Sequence, residues 1–257
     1  MSAEPVRIPR ARWPLILVFC LLWLGINFTE AISINVLPLT IKSIAHKGWL
    51  IGLVVVLNPL FGFIAQPLVG LLSDNMWTRV GRRAFFLILG APVVAISLML
   101  TPLAFTLWQL FLIQVFYQFF EDVLYGSDHP LLADLIPPQQ RTLVSGLMTT
   151  GVQLGNLFLL RVLMVQFSGE NLKYIYFIAA GFQLAFVCIP AFFLNEKPNK
   201  PKLREKMSVK RYVMDVMGDR MLRRLAWAQF MRAVLANSVT TYMSIFATTT
   251  LMLPQAQ

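Results

Sequence analysis

Seven apolar, nearly charge-free runs follow one another along the chain, at 13–37, 49–72, 84–104, 107–132, 143–167, 172–194 and 225–253. Each has 21 to 29 residues, enough to cross a hydrocarbon layer of ~30 Å as an α-helix rising ~1.5 Å per residue. A β-barrel would need strands of ~9–11 residues that alternate apolar and polar, and these runs do not alternate. The backbone must therefore satisfy itself within helices, so an all-α membrane protein is expected. The composition agrees: 57% of residues are hydrophobic and 13% charged.

Arg7, Arg10 and Arg12 precede the first run as in a secretory signal. That run is too long for one, carries Asn27 and Glu30 and lacks a small-x-small cleavage site, so it reads as a mature span. The net charge of +10 is spread over loops between spans, which points to membrane orientation and not to nucleic-acid binding. Seventeen basic residues fall in one set of alternate loops and three, Lys42, Lys47 and Lys173, in the other. This asymmetry places the amino terminus and the basic segment 195–224 in the cytoplasm of a plasma or inner membrane. Pro198 and Pro201 end the sixth run. The expected organisation is a cytoplasmic terminus (1–12), a six-helix bundle (13–194), a basic linker (195–224) and the first helix of an incomplete second bundle (225–257). In the linker, Tyr212, Val213, Val216 and Met217 fit one face of an amphipathic helix at the lipid headgroups, with a solvated loop as the alternative.

Several chemistries drop out. Cys20 and Cys188 lie in apolar runs and read as packing residues. His46 and His129 are isolated, and no glycine-rich phosphate loop follows a strand, so no metal, cofactor or ATP-driven pump is expected. Acids spread over the first and fourth runs without clustered His give a membrane enzyme little support.

A charge in hydrocarbon costs ~2.5–3.5 kcal/mol even on the lenient insertion scale, and besides Lys173 at the very start of its run, six stand inside the runs: Glu30, Glu121, Asp122, Asp128, Arg161 and Arg232. In the fourth run Gln114, Gln118, Glu121, Tyr125 and Asp128 recur at spacings of 4, 3, 4 and 3, which line one helix face. Lipid would not tolerate that face, so it borders a wet cavity or forms a hydrogen-bonded seam between helices. Glu30 and Arg161 lie ~10 and ~9 Å below the outer boundary, within reach of pairing, and Glu121 lies ~21 Å deep. Glu121, with Asp122, is the candidate protonatable carboxylate, and Arg161 the counter-charge or solute holder; static ion pairs are the alternative. Asn58 and Gln66, and Ser145, Thr149, Gln153 and Asn156, extend the same polar lining or bind helices together. Gly151 with Gly155, and Gly48 with Gly52, have the GxxxG spacing of close helix packing.

Between the second and third runs the chain reads Gly70, Leu71, Leu72, Ser73, Asp74, and on through Arg79, Gly81, Arg82 and Arg83. This resembles the cytoplasmic loop signature of the major facilitator superfamily, with the longer Asp-to-Gly spacing of its sucrose and glycoside-pentoside-hexuronide symporters. Leu131 to Pro138, containing Asp134, followed by Arg141, is similar to the same family's loop between helices four and five. The resemblance implies a cytoplasmic gate of Asp74, Arg79, Arg82, Arg83, Asp134 and Arg141. It also implies twelve helices in two bundles, of which this chain carries the amino-terminal half and one further helix. The chain is then a part of a longer protein, or pairs with a second copy or another subunit. The function expected is proton-coupled symport of a small, polar, sugar-like solute. Efflux of amphipathic compounds is the alternative within transport, and a receptor or sensor the alternative outside it.

Overall fold

A computed structural model describes residues 13–44, 52–54, 56–167, 169–194, 214, 218–225, 227–228, 231–232 and 235. The expected headgroup helix around Tyr212 and Val216, and most of the seventh run, lie outside them. The described chain is helical: α1 (Trp13–Asn35), α2 (Leu37–Ile44), α3 (Leu57–Asn75), α4 (Ala84–Leu100), α5 (Leu107–Leu135), α6 (Pro138–Gln166) and α7 (Lys173–Phe192). Pro38 has no N–H to donate and marks the break between α1 and α2. Four helical stretches among the described residues are long and apolar enough to cross a membrane: Trp13–Lys42, Ala84–Leu103, Pro138–Gln166 and Lys173–Phe192. The helix α5 has the length but carries Glu121, Asp122 and Asp128, and it is this helix that the site is built on.

The helix α5 packs against α3 and α4, α1 packs against α6 and α7, and α7 closes back onto α4. Phe19, Ile26, Leu87, Val94, Leu124 and Ala179 fill the centre. Phe28, Phe182 and Phe186 stack at 4.7 Å between successive rings and tie α1 to α7. Where α3 crosses α5, a Cβ added to Gly126 would lie 3.0 Å from the Gln66 Cα, so backbone meets backbone there. The GxxxG of α6 is half used. A Cβ on Gly155 would meet Leu24 at 2.7 Å, whereas one on Gly151 would meet nothing within 4 Å.

The start of α5 is set by a capping box. The Gln109 N–H donates to the Thr106 hydroxyl, and the Gln109 side chain accepts from the Thr106 N–H. Phe105 and Trp108 beside it are largely exposed, as are Leu112 and Phe116 along the outer face, which suits a helix end at the lipid interface and a flank against acyl chains.

Candidate functional site

Two polar constellations stand out, one at a helix end and one between helices. At the first, Asp74 stands in the last turn of α3, a short turn follows, and α4 begins after Arg82 and Arg83. In that turn Gly81 has φ 128°, a conformation an L side chain resists, and the Thr78 hydroxyl donates to the Gly81 carbonyl. The turn brings both arginines against two acids. Arg82 Nη1 and Arg83 Nη2 each lie 3.3 Å from Asp74 Oδ1. Asp134 Oδ2, in the last turn of α5, accepts from both guanidinium groups. The Arg83 side chain is 7% exposed, against 37% for Asp134.

Each of these four charges opposes the dipole of its own helix end, acids at the C-termini of α3 and α5 and arginines at the N-terminus of α4. Apart, they are unfavourable; together, they neutralise one another. The cluster is thus favourable only while the three helix ends meet. Arg141, expected at the gate, forms no ion pair among the described residues: its Nε donates to the Ile136 carbonyl at 3.0 Å and its Nη2 to the Ala133 carbonyl at 2.6 Å. It satisfies carbonyls left without partners where α5 ends, and so fixes the segment that bears Asp134. Arg79 is exposed and takes no part in the ion pairs described here.

The second constellation is the stripe on α5. Gln114, Gln118, Glu121, Asp122 and Asp128 are buried, and Tyr125 is half-buried. The stripe therefore forms a seam in this structure and does not border open space, because α1, α3 and the turn after α4 supply hydrogen-bond partners to it. Gln114 donates to the Thr101 hydroxyl at 3.2 Å and Gln118 to the Ser33 hydroxyl at 3.1 Å. Asp122 accepts from the Gln66 amide at 2.8 Å. Glu121 Oε1 accepts from the Tyr117 hydroxyl at 2.7 Å and from the Thr29 hydroxyl at 3.3 Å. Asp128 has no hydrogen-bond partner at either oxygen among the described residues.

The donors around Glu121 are short of protons. The single Tyr117 hydroxyl proton faces both Glu121 Oε1 and the Thr29 carbonyl, the latter at 2.9 Å. The Thr29 hydroxyl proton likewise faces both Glu121 Oε1 and the Ile26 carbonyl, the latter at 2.8 Å. A hydroxyl gives one proton and accepts at its oxygen. One more proton, carried by Glu121 and donated to the Tyr117 oxygen, would leave Tyr117 free to donate to Thr29.

The expected pairing of Glu30 with Arg161 is not formed. Glu30 accepts from the Tyr125 hydroxyl at 2.5 Å, and Arg161 is exposed on a π-helical turn of α6, Leu159–Leu163. Matching depth had suggested the pair, but depth does not say which way a side chain points around its helix. Asn156 is half-buried on α6, and its side-chain oxygen has no partner among the described residues. The less buried flank of the seam adds Trp23, which neither charge nor polarity marks in the sequence. The Trp23 ring meets Tyr125 at 6.0 Å and His129 at 4.8 Å, both edge to face. Trp23, Asn27 and Glu30 recur at spacings of 4 and 3 on α1, the same periodicity that exposed the α5 stripe.

Comparison with known proteins bears on this arrangement. The family model described as Major Facilitator Superfamily matches residues 15–256. Sucrose transport protein SUT5 of Oryza sativa subsp. indica is 28% identical over 81 residues, which cover 32% of this chain and 15% of the relative. Proton-associated sugar transporter A of Rattus norvegicus is 31% identical over 99 residues, 38% of this chain and 13% of the relative. Its Mus musculus counterpart is 32% identical over 93 residues, 35% and 12% respectively. The matches thus span well under a fifth of these relatives' own length. With a family match that covers nearly all of its apolar helices, the chain is an integral membrane protein that belongs to the Major Facilitator Superfamily, a family of transporters and not of enzymes.

Proposed function

We propose that the chain is the amino-terminal half of a secondary transporter that carries a small, polar, sugar-like solute together with a proton. The observation that carries this reading is the proton shortage around Glu121. Its hydroxyl partners on α1 and α5 can hold either protonation state by turning two O–H bonds, and exchange of one proton changes what ties the two helices together. Loading and release of that proton would bias the packing of α1 against α5, and a solute beside them would favour one of the two packings.

The Asp74, Arg82, Arg83 and Asp134 cluster serves as the cytoplasmic latch of this scheme, with Arg141 holding Asp134 in place. It forms when the ends of α3, α4 and α5 meet and breaks when they part, as alternating access requires. The cytoplasmic assignment rests on the basic-residue asymmetry. A six-helix bundle at 13–194 followed by a seventh span would need a second bundle, in the same chain or from a partner. The exposed polar residues of α6, Ser145, Thr149 and Gln153, support such a partner, since the described residues leave them uncovered and acyl chains would offer their side chains no hydrogen bonds.

The test uses the transporter reconstituted in vesicles with labelled sucrose outside and an inward proton gradient. Accumulation above equilibrium, abolished by an uncoupler, is expected. Glu121→Gln should lose that accumulation and keep exchange of labelled for unlabelled sucrose. Gradient-driven accumulation undiminished in Glu121→Gln would remove Glu121 from coupling.

A further inference from the structure

The turn between α3 and α4 has a tip that the latch does not use. The Gly81 N–H donates to the Thr78 carbonyl at 3.2 Å and the Thr78 hydroxyl to the Gly81 carbonyl, so the turn is pinned across its base with Arg79 and Val80 at its tip. Met76, Trp77, Arg79 and Val80 are all exposed. Water is a poor solvent for the three apolar side chains, and hydrocarbon for the arginine. The boundary between the two suits all four. Helix length puts the turn there: the 19 residues of α3 rise ~28 Å, about one hydrocarbon thickness, so the residues just past Asn75 emerge at its edge. The exposed tryptophans agree, with Trp13 at the start of α1 and Trp77 after α3 at one end of the helices and Trp108 at the start of α5 at the other. The tip also carries charge. Asp74 and Asp134 are taken by Arg82 and Arg83, so three arginines against two acids leave the turn positive at Arg79.

We propose that residues 76–80 are a docking site for anionic lipid, with the Arg79 guanidinium on the headgroup phosphate and Met76, Trp77 and Val80 among the upper acyl carbons. A guanidinium meets phosphate oxygens through two parallel N–H···O bonds, and the apolar side chains on either side of Arg79 hold it at the depth of the phosphates. A zwitterionic headgroup brings an ammonium along with its phosphate, which Arg79 repels, so the anionic lipid is preferred. On the orientation proposed above, this end meets the cytoplasmic leaflet, where anionic lipids reside. Arg79, which the family resemblance put in the gate, thus acts on the bilayer while Arg82 and Arg83 act on the latch.

The experiment places the full chain in nanodiscs of phosphatidylcholine with a minority of phosphatidylglycerol, in two preparations that carry bromine on the upper acyl carbons of one lipid or of the other. Bromine quenches the fluorescence of a tryptophan it touches, and the difference between the chain and its Trp77→Phe variant isolates Trp77. Per molecule of lipid, quenching of Trp77 by phosphatidylglycerol is expected to exceed that by phosphatidylcholine about fivefold, and high salt should shrink the ratio. Arg79→Gln should bring the two lipids to within about twofold with Trp77 still quenched, and Arg79→Lys, which keeps the charge, should retain most of the preference. A ratio near one in the unaltered chain, a ratio that survives Arg79→Gln undiminished, or no quenching of Trp77 by either lipid would overturn the docking site. None of these outcomes touches the carrier reading, which the sucrose experiment tests by itself.

Discussion

Replacing Asp134 with Asn tests the latch, because it keeps the side chain's shape and removes the charge that both arginines share. A charge-assisted hydrogen bond contributes ~1.5–3 kcal/mol where it is protected from water. Exposed ion pairs contribute less than ~1 kcal/mol. Arg83 is 7% exposed and belongs to the first case, while Arg82, at 24%, approaches the second. Discounting both for the 37% exposure of Asp134 itself leaves about 2 kcal/mol of local stability, or about 30-fold in the opening equilibrium.

Amide hydrogen exchange reads that equilibrium directly. Phe86 and Leu87 are the amides to follow, since both donate to the Arg83 carbonyl in the first turn of α4. Their exchange should speed up by about 30-fold in Asp134→Asn. Asp74→Asn should do less, about 3–5-fold, since Asp74 accepts at 3.3 Å from both arginines and is 39% exposed. An acceleration below about threefold for Asp134→Asn, or the reverse order of the two variants, would refute the reasoning, because the cluster would then not be what holds these helix ends together.

Other substitutions probe the packing that positions the site. Gly126→Ala drives a Cβ to 3.0 Å from the Gln66 Cα and 3.1 Å from its carbonyl oxygen, so it should cost about 1–3 kcal/mol in thermal-unfolding assays of the purified chain. Gly151→Ala meets nothing within 4 Å and should be neutral or stabilising by up to about 1 kcal/mol in the same assay; a destabilisation equal to that of Gly126→Ala would contradict the assigned crossing. Thr106→Ala removes the acceptor of the Gln109 N–H and should cost about 1 kcal/mol, seen as faster exchange confined to the first turn of α5.

Much of this was readable from residue order, and the failures share one cause. The apolar runs announced the helices, and the 4, 3, 4, 3 spacing on α5 announced a polar face, because periodicity along a helix is a property of that helix alone. The loop with Arg82 and Arg83 was readable through its resemblance to a family signature, and in the structure the short turn with Gly81 places both arginines beside Asp74. What a helix face meets is not local. Depth counting set Glu30 level with Arg161, yet the packing turned Glu30 to Tyr125. Arg141 read as another gate charge, whereas the end of α5 needed its donors for Ala133 and Ile136. The α5 stripe left two readings once lipid was excluded, cavity lining or a seam, and the choice depended on small hydroxyl residues of α1 that look unremarkable in an apolar run. Thr29 and Ser33 are those residues, and with Tyr117 they decide the chemistry. An acid on α5 facing alkyl groups would only be a buried cost. Facing two hydroxyls whose protons are each claimed twice, Glu121 is the residue at which, on the function proposed above, a proton would alter how two helices are joined, the property a coupled carrier needs.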